Sequence, residues 1–181
     1  MTETARLVLT AWSETERAPY LEMCADAEVM ADYGGPWDAA FANARFERQI
    51  GYFARDGFGK WALRLRASGE YLGYCGVNPI WPGLAPAPGL EIGWRMVRRA
   101  WGQGYATEAA RAALSDAFQR TDAHEVLAYT GPANARSQAV MRRLGMDRVA
   151  ERDFRYEDGS TAVVFVAPRS RYADGGHRGD A

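Results

Sequence analysis

Residues 90 to 109 read Leu-Glu-Ile-Gly-Trp-Arg-Met-Val-Arg-Arg-Ala-Trp-Gly-Gln-Gly-Tyr-Ala-Thr-Glu-Ala. This stretch constrains the chain most. An alternating apolar run, a turn with two glycines and the start of an alanine-rich helix follow one another without a spacer. Gly102 and Gly104 lack Cβ atoms, so the backbone there can adopt turns closed to other residues and aim several N–H groups at one point. The helix that follows adds the positive end of its dipole. Such a junction suits an anion, and its span suits a pyrophosphate.

Two familiar phosphate loops fit poorly. A dinucleotide fingerprint requires Gly-x-Gly-x-x-Gly, but Thr107 stands where the third glycine belongs. Asp122 has the right spacing for a ribose partner, yet a hairpin rather than a strand-helix unit precedes the turn. A Walker loop requires Gly-Lys-Ser/Thr, and the only lysine of the chain is Lys60. Coenzyme A is the reading that remains.

Periodicity orders the rest of the chain. Arg6 to Thr10 alternates as a half-buried strand does, and Ser13-Glu14-Thr15-Glu16 has capping-box spacing for a first helix. Asp38 to Arg55 repeats at helical spacing and ends at Gly57. Trp61–Leu65 and Tyr71–Val77 form a hairpin, Pro79 to Gly89 a surface loop, and Leu90–Val97 a strand. Thr107–Phe118 is a helix, Glu125–Thr130 a strand, and Ala135–Leu144 a helix closed by Gly145. Val149–Tyr156 and Ser160–Ala167 are expected to pair as a last hairpin. The expected organisation is one domain over residues 1–168, with a disordered tail over 169–181.

Composition narrows the partners. The 181 residues carry 22 Lys+Arg against 23 Asp+Glu, so there is no basic excess for nucleic acid or membrane binding. Cys24 and Cys75 form neither a CxxC pair nor a zinc-ligand set with a histidine, so no metal is expected. No apolar run is long enough to span a bilayer, and the N-terminus does not read as a signal peptide; a soluble, cytoplasmic protein is expected.

On these residues the chain resembles the GNAT superfamily of N-acetyltransferases, and within it the RimJ/RimL-like branch that acts on ribosomal-protein N-termini. The resemblance runs from Arg6 to Ala167. Its family pattern, Gln/Arg-x-x-Gly-x-Gly/Ala, maps to Trp101-Gly102-Gln103-Gly104-Tyr105-Ala106, with Trp101 departing at the first position. Glu91-Ile92-Gly93-Trp94 upstream, and Asn134-Ala135-Arg136-Ser137 with Leu144-Gly145-Met146 downstream, support it.

The resemblance implies an α+β GNAT fold: a mixed, twisted central sheet of six or seven strands flanked by helices, whose splayed middle pair holds acetyl-coenzyme A. Backbone groups of Met96 and Val97 would meet the pantetheine arm, Trp101 and the amides from Gly102 to Thr107 the pyrophosphate, and Asn134 the thiol end. Glu91 would be the base, directly or through water, and Ser137 the general acid toward sulfur, since Met141 stands where many relatives carry a tyrosine. Independently of any family, Asn134, Ser137 and Met141 share one helix face. The activity implied is acetyl transfer to a primary amine. A protein or peptide N-terminus leads as acceptor, and a polyamine, amino acid or antibiotic follows. A coenzyme A-binding sensor without turnover is the contrasting class, and a homodimer is plausible by resemblance.

Further candidates are weaker. Arg98, Arg99, Arg142 and Arg143 are candidates for a nucleotide phosphate, Trp37, Trp81, Trp94 and Phe154 for an acceptor groove, and Asp32, Asp153 and Glu157 for attraction of a cationic amine. Paired surface arginines and single aromatics more often form solvated faces and core.

Overall fold

The computed structural model describes residues 1–84 and 86–172. The chain runs β1 (Thr2–Glu3), β2 (Leu7–Thr10), α1 (Arg17–Ala25), α2 (Ala39–Asp56), β3 (Lys60–Leu65), β4 (Tyr71–Pro79) and β5 (Leu90–Met96). It continues through α3 (Tyr105–Arg120), β6 (Glu125–Thr130), α4 (Ala135–Leu144), β7 (Asp147–Arg148), β8 (Phe154–Arg155), β9 (Thr161–Pro168) and α5 (Arg169–Tyr172). The sheet order is β1-β2-β3-β4-β5-β6-β9-β7, with β8 paired to β9. Six of the strands are longer than two residues; β1, β7 and β8 are two-residue additions that raise the sheet above the six or seven strands expected.

Every described pairing is antiparallel except one. β5 and β6 run parallel and meet at a single register, Glu91 opposite Leu127, whereas β4 and β5 pair over seven residues. Past Glu91 the two middle strands part, which is the expected splay. A strand held on one side only leaves its backbone and side chains open toward the gap.

The core packs around the strands that form the splay. β4 is buried from Tyr71 to Asn78, as a strand covered on both faces must be, and both α1 and α3 contact it. α3 lays Ala109, Ala110, Ala113, Leu114, Ala117 and Phe118 into the core, all at most 2% exposed. Small alanines bring this helix close to the sheet, and its N-terminus to the gap. A second cluster of Ile80, Leu127, Phe154, Ala162, Val164 and Val166 fastens the final strands beneath β6.

Two expectations about the C-terminal part are corrected. Val149–Tyr156 is not one strand: β7 ends at Arg148, a 3-10 turn covers Ala150–Arg152, and β8 resumes at Phe154. Asp153 causes the break, because its Oδ1 accepts from the Val164 amide at 3.0 Å, replacing a backbone partner on β9. Arg169–Tyr172 is a helical turn rather than tail. The Arg169 guanidinium donates to the carbonyls of Phe118, Thr121 and Ala123, and the Tyr172 hydroxyl donates to the Leu144 carbonyl. The remainder of the expected tail, 173–181, lies outside the described residues.

Candidate active site

Two clefts open from the splay. The smaller, about 630 Å³, lies against the turn after β5 and is lined by Met96, Trp101 through Thr107, Asn134, Arg136, Ser137 and Arg143, among others. The larger, about 1240 Å³, runs from Glu91 toward Trp81 and the residues following β8. Asp32, Trp94, Arg95, Asn134 and Ser137 line both, so they mark where the clefts join.

The turn carries the local chemistry of the smaller cleft. Gly102 and Gly104 have φ of 74° and 80°, and Gly104 precedes α3 in the left-handed region. Among the described residues, the N–H groups from Gly102 to Thr107 donate to no protein acceptor, while Glu108 N resumes the ladder to the Gly104 carbonyl. Six consecutive amides and a helix N-terminus at one cleft wall form an anion nest, so the residues present fit a pyrophosphate. Arg6 clamps the turn from outside. It donates to the Gln103 carbonyl at 2.9 Å, pairs with Glu108 at 2.7 Å and covers the Tyr105 ring.

Val97 stands apart from Met96. Its side chain is buried, its N–H donates to the Leu72 carbonyl at 2.9 Å, and it lines neither cleft. The backbone has already turned toward β4 there. Met96 does reach the smaller cleft, and its carbonyl accepts from the Trp101 indole at 2.9 Å. Trp101 is itself sandwiched by Arg98 and Arg136, at 4.7 and 3.9 Å from its ring centre.

Glu91 opens β5 and points into the larger cleft. Lys60 Nζ on β3 and Asn78 Nδ2 on β4 both donate to its Oε1, at 2.9 and 3.3 Å; Oε2 accepts from no described residue. A Cβ at Gly93 would lie 3.0 Å from Lys60 Nζ, so the glycine gives the end of the lysine room. The Glu91 and Lys60 side chains are each 16% exposed. Burial alone would lower the Lys60 ammonium's pKa, but the adjacent Glu91 carboxylate together with Tyr74 and Tyr33 outweighs it and holds the group above the ordinary lysine value.

At the join, Asp32 accepts two bonds from Arg95, at 2.8 and 3.1 Å, and one from Asn134 Nδ2 at 3.2 Å. Asn134 caps α4 as well, its Oδ1 accepting from Ser137 N at 3.1 Å. The Ser137 hydroxyl has no partner among the described residues, and Met141 lies buried one turn below it. No described cluster of His, Cys, Asp and Glu has the makings of a metal site, and no described helix is long and apolar enough to cross a membrane.

Several weaker candidates disperse. Trp81, Trp94, Asp32 and Glu157 line the larger cleft; Trp37, Phe154 and Asp153 do not. Trp37 makes edge-to-face contacts with Tyr33 and Phe41, Phe154 is in the second cluster, and Asp153 serves Val164 and Arg148. Arg98 and Arg99 pair with Glu28 and Glu70, and Arg142 bonds Gln138, leaving Arg143 at the cleft. Sequence reasoning missed Lys60, Tyr74, Arg136 and Tyr156. Only Lys60 carried a signal, as a sole lysine in a predicted strand region. Burial pushes the Tyr156 hydroxyl up to about 12, so it is a neutral wall of the cleft. Cys75, likewise at about 12 through burial, is an inert core thiol.

The sequence profile described as "Acetyltransferase (GNAT) domain" matches residues 6–147. The chain belongs to the GNAT acetyltransferase family. It is an acetyl-coenzyme A-dependent acetyltransferase. Among its relatives, the uncharacterized protein YkkB of Bacillus subtilis (strain 168) is 34% identical over 125 residues, 67% of this chain and 69% of that one. The FsC-acetyl coenzyme A-N(2)-transacetylase of Aspergillus fumigatus is 36% identical over 104 residues, 51% of this acetyltransferase but 40% of the fungal protein. The crystal structure of an acetyltransferase from Agrobacterium tumefaciens str. C58 superposes with a TM-score of 0.79 at 27% identity, covering 92% of each chain.

Proposed function

We propose that this acetyltransferase acetylates the free α-amino group of a protein or peptide, and that it belongs to the RimJ/RimL-like branch that Trp101 at the head of its loop motif resembles. The observation that carries the reading is the pair of joined clefts. The six free amides from Gly102 to Thr107 would hold the pyrophosphate of acetyl-coenzyme A, with Met96, Trp101 and Asn134 along the same cleft. The larger cleft exceeds the usual size of a small-ligand pocket and opens outward past Trp81, which suits an extended chain entering by its end.

When bound, acetyl-coenzyme A supplies a thioester whose acyl carbon takes the amine nitrogen as the carbon–sulfur bond breaks, giving an amide and a free thiol. Glu91 Oε2 accepts one amine proton, directly or through water, and passes it to solvent. The Ser137 hydroxyl, unpartnered at the join, gives its proton to the departing sulfur and regains one from solvent. Protons and charge balance: one leaves nitrogen and one arrives on sulfur.

Amine basicity favours the same acceptor. At pH 7 an α-amino group of pKa about 7.8 becomes neutral at a cost of roughly 1.1 kcal/mol, a lysine amine of about 10.4 at nearly 5 kcal/mol. One carboxylate, with an ammonium already on one oxygen, is matched to the first task. The name of the fungal relative, an N(2)-transacetylase, favours a second reading, a small-molecule amine. Thiol release from acetyl-coenzyme A over N-terminal peptides, Nα-blocked lysine peptides, polyamines and aminoglycosides separates them. Turnover of free N-terminal peptides with none for Nα-blocked ones supports this assignment, and turnover of small amines alone overturns it.

A further inference from the structure

We propose that Lys60 is a positioning residue for acetyl transfer: its ammonium, with Asn78, pins Oε1 of Glu91 so that Oε2 faces the acceptor amine in a fixed orientation. The inference rests on Glu91 being the base. Three features converge on it. Both donors reach the same oxygen and leave the other free. They come from β3 and β4, neighbours in the sheet that pair antiparallel with Lys60 opposite Gly76, so the sheet itself fixes their geometry. Gly93, next but one to Glu91, has no Cβ to crowd the Lys60 Cε and Nζ, which would lie 3.0 Å from one.

Among the described residues, Lys60 is the cation bonded to this carboxylate, and Arg155 lines the same cleft. Tyr74 on β4, Tyr33 from the loop before α2 and Tyr156 after β8 are the phenols that face the pair. Arg95, four residues along β5, is committed to Asp32 and the Val29 carbonyl. Asp158, the nearest further acid that bears on Tyr156, is bound to Ser160. Without the ammonium, the carboxylate would be free to rotate, and either oxygen could face the cleft.

The test is kcat and KM for the parent, Lys60→Met, Lys60→Arg and Glu91→Gln, with thermal unfolding alongside. Lys60→Met lowers kcat at least about tenfold while KM for the acceptor and the unfolding midpoint stay near the parental values, and Lys60→Arg, which keeps a cation on Oε1, restores most of the turnover. Parental kcat in Lys60→Met, with turnover lost in Glu91→Gln, overturns the role of Lys60 and leaves Glu91 as base. Parental kcat in Glu91→Gln overturns the base assignment and the inference with it. Because Lys60 is the only lysine, one labelled side-chain NMR resonance reports it in the unsubstituted enzyme without any substrate. It stays protonated above the ordinary value of about 10.4, and titration at that value instead overturns the pairing.

Discussion

Asp32 and Asn134 meet across the join of the two clefts, the Asn134 amide donating to Asp32 Oδ2 at 3.2 Å while Arg95 holds the same carboxylate from β5. One side chain thereby ties the loop before α2 to both the strand and the helix that flank the splay. Asp32→Ala leaves the Arg95 guanidinium, 8% exposed, without its carboxylate. Asp32 itself is 37% exposed, so solvent screening reduces the loss to about 1–2 kcal/mol in urea denaturation. KM rises for both substrates, because Asp32 lines both clefts.

Ser137 offers a cleaner separation of chemistry from binding. Its hydroxyl bonds nothing among the described residues, so Ser137→Ala removes no folding contact. Turnover falls by about 100-fold while coenzyme A affinity by calorimetry stays within about twofold. Unchanged turnover removes Ser137 from the acid role.

Gly104→Val tests the amide nest through the backbone. At φ 80° a side chain costs about 1–2 kcal/mol, and its Cβ would lie 3.4 Å from Arg6 Nη2, the residue that clamps the turn. Coenzyme A affinity falls at least about tenfold. Gly102→Ala, with open space around its Cβ, carries only the backbone cost and loses less. Equal affinities for Gly104→Val and the parent contradict a pyrophosphate site there.

Glu16 links the first helix to acid stability. Burial alone would raise its pKa, but bonds from Ser13 and Arg64 outweigh this and hold the carboxyl below the usual range. A depressed group stabilises the fold above its unfolded value of about 4.3, and the contribution is lost as pH falls through the folded value. Glu16→Gln therefore lowers stability at pH 7 by about 1–2 kcal/mol and flattens the dependence below about pH 4.3. A parallel pair of stability-against-pH curves rules this out.

The corrections share a cause. Val149–Tyr156 alternates well enough to suggest one strand, but the Asp153 side chain captures a β9 amide that only the folded sheet brings near. Arg169–Tyr172 is polar, like a tail, yet its guanidinium and phenol satisfy carbonyls at the ends of α3 and α4 that lie far away in the chain. Local pattern reports periodicity and turn chemistry, and it is blind to partners that come from elsewhere.

The sequence by itself determined what depends on neighbours in the chain: the glycine turn that opens α3, the Asn134 cap, the apolar stripes and hence the family fold. Only the tertiary structure decided which groups share a site. β3, β4 and β5 bring Lys60 and Asn78 onto one oxygen of Glu91, and the parting of β5 from β6 brings Ser137 to the join of two clefts. Such convergence depends on strand register and on the angle at which strands separate, quantities set by packing of the whole core.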